Sequence, residues 1–368
     1  MASSSAPAAD ALDIYKLTRL KRIASPCGGA GSDEWVFESV TQALELMGNP
    51  SKIAYGGCAL ALAVTAAFQS LEGKDYAIYS MSAQYLGPTA FSQAVRLYVR
   101  SLRDTRTFCT RFLLIKQQQT NGRWRPTLSA TCDFVAPQEA DSVQTLLRFS
   151  VKPEHPNAPP PETLPSPDVS LKQLADEGNV TERELSEHER NFSPMARYAD
   201  MRTVPDTPIA QKLAGIQYKS ATSQDGRELA EKLSSDWFKA TSNLPRLVEQ
   251  ADPSENLTLR ALTAALTVFY LDNSMAFLPL THSEGYWFPH VSACSSLDFV
   301  ARWHTDSFDA AQWHLRELRA LHGAHGRTFN EARIFDRQGE LVLTSSQQAV
   351  MRASQAIQEE KLASKSRL

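Results

Sequence analysis

Two stretches of the chain are apolar on nearly every side. One, "GGCALALAVTAAFQSL", begins at Gly56 after Tyr55; the other, "ALTAALTVFYLDNSMAFLPL", covers residues 261–280. At helical period such runs leave no polar face, so each predicts a helix enclosed by other structure, the second over about residues 257–278. After each run the pattern changes to period two. In the first half Val95, Leu97 and Val99 alternate with Arg96, Tyr98 and Arg100. "RTFCTRFLLIKQQ" follows a hinge-like "RDT", and Leu128, Ala130, Cys132 and Phe134 alternate with Thr127, Ser129, Thr131 and Asp133. In the second half "SSDWFKATS" precedes the helix, and "SACSSLDFVARWH", "AAQWHLRELRAL", "FNEARIFD" and "ELVLTSSQQAVMR" follow it. A long enclosed helix followed by antiparallel strands, twice over, predicts an α+β fold of two repeats, each a sheet wrapped around a helix.

The repeats are separated by a proline-rich and then highly charged segment, residues 139–194, which can bury no continuous face and predicts a surface linker with at most a short helix. The resulting division is an extension over 1–32, a first repeat over 33–138, this linker, a second repeat over 195–352 and a polar tail over 353–368.

Three polar residues of the second repeat sit where a core is expected. On the last strand Leu341, Leu343, Ser345, Gln347, Ala349 and Met351 share the more apolar face, which carries Gln347 inward. Asp272 interrupts the second apolar run, with Val268 and Phe269 before it and Met275 and Ala276 after. A carboxylate there must be paired, protonated or used in chemistry; the bland alternative is an Asp that turns out to cap a neighbouring segment. Ser296, in "ACSSLDFV", reads by itself as a strand hydroxyl bonding a carbonyl. Together an acid, a hydroxyl and an amide can hold and deprotonate a water molecule.

Composition narrows the alternatives. The 368 residues are 42% hydrophobic and 21% charged with a net charge of −3, which supplies no electrostatic reason for nucleic acid or an anionic membrane as partner. The apolar run at 261–280 is broken by Asp272, Asn273 and Ser274, so it predicts a core helix and no membrane span. The five cysteines (27, 58, 109, 132, 294) show no C-x-x-C spacing and predict reduced thiols. No G-x-S-x-G elbow or phosphate loop is present, "GGAG" at residues 28–31 opens no βα unit, and "HGAHG" at 322–326 reads as a glycine turn, so neither cofactor nor metal is expected. The chain ends in Ser366-Arg367-Leu368, the small–basic–leucine pattern of a peroxisomal address, which predicts a peroxisomal protein and its import receptor as a partner.

With these residues in view, the chain resembles the type II acyl-CoA thioesterases, a double-hotdog family. "YGGCALALAVTAA" is similar to the Gly-Gly opening of the family's first central helix, and "SLRDTRTF" to its L-R-D-G-R-S-F turn. "FYLDNSMAFLPL" matches the helix carrying the catalytic Asp, "SSLDF" the T-I-D-H segment and "SSQQAVMR" the closing V-Q-E-G-V-M-R. The resemblance implies a catalytic triad of Asp272, Ser296 and Gln347, with Gly56 and Gly57 at the oxyanion and Arg327 in substrate binding. It also implies two antiparallel sheets, each around a long central helix, and further pairing into a homo-oligomer. Ser296 stands where the family has Thr; Tyr79-Ser80-Met81-Ser82 stands for H-S-L-H, Phe299 for the next His, and Arg319-Ala320 for E-S. The implied activity is hydrolysis of acyl-CoA to free acid and CoA in fatty acid metabolism. The altered positions keep open a hydrolase or acyltransferase for one specialised acyl group, and a non-catalytic acyl-CoA binder.

Overall fold

The computed structural model describes residues 13–24, 33–47, 52–137 and 145–365; Cys27, residues 28–31 and the terminal Ser366-Arg367-Leu368 lie outside them. The strands of the first half are β1 Leu20–Ile23, β2 Glu34–Ser39, β3 Ala77–Tyr85, β4 Arg96–Asp104, β5 Phe108–Gln118 and β6 Trp124–Val135. Those of the second are β7 Ala199–Thr203, β8 Ser234–Ala240, β9 Val291–Ser296, β10 Asp298–Trp303, β11 His314–Ala324, β12 Arg327–Phe335 and β13 Leu341–Ala353. They form one antiparallel sheet in the order β1-β2-β4-β5-β6-β3-β10-β13-β12-β11-β8-β7, with β9 also on β13.

The two expected sheets are therefore halves of a single one. They meet where β3 pairs with β10, Ala83 opposite Phe299 and Ser82 opposite Val300, so that each half covers an edge the other would leave open. Each half curls around its central helix, Gly56–Gln69 or Leu259–Leu271. Every residue from Gly57 to Gln69 and from Ala261 to Leu271 is buried, which is why neither helix shows a polar face. The strand parities hold as read: Val95, Leu97 and Val99 face the core, as do Leu128, Ala130, Cys132 and Phe134.

The start of the first helix lies against the end of the second. Tyr55 Oη donates to the Phe269 carbonyl at 2.7 Å, and their rings meet edge to face. A Cβ on Gly57 would come within 2.7 Å of the Phe269 oxygen, so the approach needs glycine.

Three expectations are corrected. The second helix ends at Leu271, not near 278, because Ser274 takes φ 73 and turns the chain; Asp272 is thus its C-cap and not an interior residue. The strand read through "SACSSLDFVARWH" is two strands, split at Leu297. The linker contains two capped helices, Pro167–Asp176 behind Ser166 and Glu182–Asn191 behind a Thr181–Glu184 capping box. Their few apolar residues, Leu171 among them, pack with Leu213, Leu280 and Trp287, a patch too sparse to show a period. The extension contributes β1 to the sheet, paired with β2, and the tail is helical over Gln355–Lys365. Among the described residues no helix is long and apolar enough to cross a membrane.

One ion pair inside the second half is wholly buried. Arg316 on β11 meets Asp236 on β8 at 2.6 Å, both fully inaccessible; Tyr270 Oη donates to the same carboxylate at 2.9 Å. A second guanidinium N–H donates to the Asn273 carbonyl at 2.9 Å, pinning the turn after the second helix. Breaking such a pair leaves a bare buried charge. Arg316→Met is expected to lower unfolding free energy in denaturant by about 3–5 kcal/mol, and adding Asp236→Leu to recover a substantial part.

Candidate active site

Asp272 is 6% exposed and carries the site. As the C-cap of its own helix it faces the negative end of that dipole, yet it also lies at the positive end of the first helix, where the Gly57 backbone N–H serves its carboxylate. Burial pushes its pKa above the ordinary carboxylate value; hydrogen bonds from Gln347, Tyr85, Gly57 and Ser296 pull it back only in part.

Three side chains converge on one oxygen. Gln347 Nε2 donates to Asp272 Oδ1 at 2.6 Å, Tyr85 Oη at 3.3 Å and Ser296 Oγ at 3.4 Å. The structure thus brings Asp272, Ser296 and Gln347 together. The contact of Gln347 with an acceptor fixes its amide, nitrogen toward the acid, and leaves Oε1 buried without a partner. Opposite Gln347 on β12, Asn330 donates to the Met275 carbonyl at 2.9 Å, so the loop beyond Asp272 is held from both β11 and β12.

Ser296 is aimed by a bulge. Ser296 pairs with Ala349 and Val300 with Ser346, so three residues on one strand span two on the other. Leu297 N–H donates to the Gln348 carbonyl at 2.8 Å, and the Asp298 side chain replaces a backbone acceptor for Gln348 N–H at 2.6 Å.

Tyr85 escaped the sequence reading. It ends β3, in the other half of the molecule, with its N–H on the Leu297 carbonyl at 2.9 Å. The available signal was parity: Tyr85 shares the face of Met81 and Ala83, both fully buried.

Gly56 lies beside the acid, for a Cβ there would be 2.8 Å from both Asp272 Oδ2 and Tyr85 Oη. The Gly57 backbone N–H also favours the charged form of the carboxylate. Arg327 is not part of the cluster. It is exposed at the start of β12, on the face opposite Thr328 and Asn330. Phe299 is fully buried at the seam, opposite Ala83.

Comparison with known proteins agrees on one family. The model of the acyl-CoA thioesterase C-terminal domain matches residues 187–351, and that of the N-terminal domain residues 46–135. Acyl-CoA thioesterase 2 of Haemophilus influenzae is 22% identical over 324 residues, covering 88% of this chain and 94% of that one. Among solved structures, the acyl-CoA thioesterase II TesB2 from Mycobacterium marinum superposes with a TM-score of 0.56 at 17% identity, over 93% of this chain and 99% of its own. A hot dog fold protein from Alicyclobacillus acidocaldarius gives 0.55 at 15%, over 93% and 98%.

Removing a donor from Oδ1 disfavours the charged acid. In Tyr85→Phe the Asp272 carboxyl is therefore expected to titrate at higher pH than in the wild type, measured by NMR or infrared difference titration. Gly57→Ala, forced against Phe269, is expected to lose about 1–3 kcal/mol of stability by overpacking, read from the denaturation midpoint.

Proposed function

Because the chain belongs to the type II acyl-CoA thioesterase family and is a hydrolase of acyl-CoA thioesters, we propose that Asp272 is the general base of that hydrolysis. The observation that supports this reading is the buried 2.6 Å bond from Gln347 Nε2 to Asp272 Oδ1. It orients the carboxylate, occupies one oxygen and leaves Oδ2 as the proton acceptor.

In this reading a water donates one hydrogen to Asp272 Oδ2 and the other to Gln347 Oε1, the acceptor without a partner. Its lone pair then faces the thioester carbonyl. Gln347 gives one N–H to the acid, and its Oε1 is the group left to face the water. Attack forms the C–O bond as Asp272 takes the proton, and the Gly56 N–H at the helix start is assigned to the developing oxyanion. Collapse breaks the C–S bond, and the leaving thiolate recovers the proton to give free acid and CoA. Ser296 and Tyr85 hold Oδ1, and the exposed Arg327 is assigned to a CoA phosphate.

Three finer proposals accompany this. A role in fatty acid metabolism follows from the substrate class, and a homo-oligomer from the resemblance. Peroxisomal import through Ser366-Arg367-Leu368 rests on that tripeptide alone, and the relatives named above are bacterial.

Release of CoA from an acyl-CoA panel, followed with a thiol reagent, tests the mechanism. Asp272→Asn is expected to lower kcat about 100-fold or more, and Gln347→Ala to lower it substantially. Because the base must be deprotonated, wild-type kcat/KM is expected to fall as pH drops through a pKa above the ordinary carboxylate value. The residual activity of Asp272→Asn should lack that limb. Variants as fast as wild type would sink the assignment.

A further inference from the structure

Beyond the acid lies a partly open cavity of about 250 Å³. Its floor includes Asn273 and Ser274, the two residues that follow Asp272, and its roof is the pair of linker helices. The volume is just under the ~300–1,000 Å³ that encloses a drug-sized molecule, which suits an acyl group and not a whole acyl-CoA. Leu174, Phe192, Ile209 and Leu213 give it apolar walls.

Ser170, Thr203, Gln211, Asn273 and Ser274 add polar groups to the lining, and one further polar side chain there is buried without a partner. His188, on the second linker helix, is 6% exposed, and its Nδ1 is buried with no hydrogen-bond partner. Its ring leans on Phe192 with centroids 5.3 Å apart. Burial depresses its pKa against the pull of Asp168, so the ring is neutral near pH 7. An unpaired polar atom in such a place is destabilising, and a ligand with a matching group would offset that cost. The backbone around the cavity is strained as well: Leu213, Ala214 and Ser274 line it with φ of 46, 58 and 73. Left-handed non-glycine residues persist where surrounding structure fixes them, and they concentrate at ligand sites.

We propose that this cavity receives the acyl chain of the substrate, that the linker helices set which chain fits, and that His188 recognises a hydroxyl group on it. A hydroxyl both donates and accepts, so it satisfies Nδ1 in either tautomer of the neutral ring. A wholly hydrocarbon chain would leave that nitrogen bare. The proposal rests on the thioesterase reading of Asp272, since the reacting carbonyl must lie at the acid while the chain runs past Asn273 and Ser274.

Binding and turnover separate the two. In the full chain carrying Asp272→Asn, calorimetry with plain and hydroxylated acyl-CoAs of equal length, the hydroxyl near the thioester or near the far end, is expected to show at least one hydroxyacyl-CoA binding about tenfold tighter than its plain counterpart. Adding His188→Leu should collapse that ratio toward one. Ala210→Trp, which fills the cavity from another wall, should shorten the longest acyl chain accepted, and it decides the point if His188→Leu does not fold. A ratio indifferent to His188→Leu, or a chain-length profile unmoved by Ala210→Trp, overturns the proposal. Undiminished turnover in Asp272→Asn alone would overturn the catalytic reading, while these binding ratios would still decide the pocket.

Discussion

A carboxylate taken out of water stays charged only if the protein replaces the lost solvation, and much of this architecture is arranged around that requirement at Asp272. The end of its own helix works against it, and the start of the other central helix works for it through Gly57. That second contribution requires two helices packed closely enough for the Phe269 carbonyl to fill the space beside Gly57, which in turn requires the small, apolar surface of "GGCALALA". Gln347 and Ser296 then come from the paired strands β13 and β9, and Tyr85 from β3, which the β3–β10 seam brings to them from the other half. The compensation remains incomplete, and the leftover desolvation makes the acid a stronger base than a solvated one.

Local pattern reveals what local pattern determines. The enclosed helices were legible because burial on all sides removes the polar face, and Gln347 because strand parity carries it inward with Leu343 and Ala349. Asp272 stood out as a charge in an apolar run, yet its position at a helix end was hidden, for the turn at Ser274 lies inside residues equally at home in a helix. Tyr85 was illegible as a functional residue because its partner lies in the other repeat. The pairing of Arg316 with Asp236 was invisible in the sequence, because only the register of β11 on β8 places them opposite each other. The linker misled by composition: charged residues do not preclude helices when caps are good and a few leucines find a neighbouring patch.

The proposed chemistry and the proposed selectivity fall to different parts of this chain. The acid and its donors belong to the repeats, where parity, register and helix packing constrain each residue several times over. The roof of the proposed acyl cavity belongs to the connecting segment, fastened mainly by one small apolar patch. Substitutions in that roof can alter what is accepted without moving Asp272, which gives the segment freedom the repeats lack.

The shared seam also matters while the chain is being made. Translation delivers β3 complete at Tyr85, but its partner β10 begins at Asp298, more than two hundred residues later. At ribosomal speeds of about 5–20 residues per second the first half waits some ~10–40 s with a long edge strand unpaired. The outer edges of the finished sheet are the short strands β1 and β7, so the greatest adhesive hazard belongs to the nascent molecule. A cell producing this protein therefore faces its main quality-control burden before the acid has met the tyrosine that completes it.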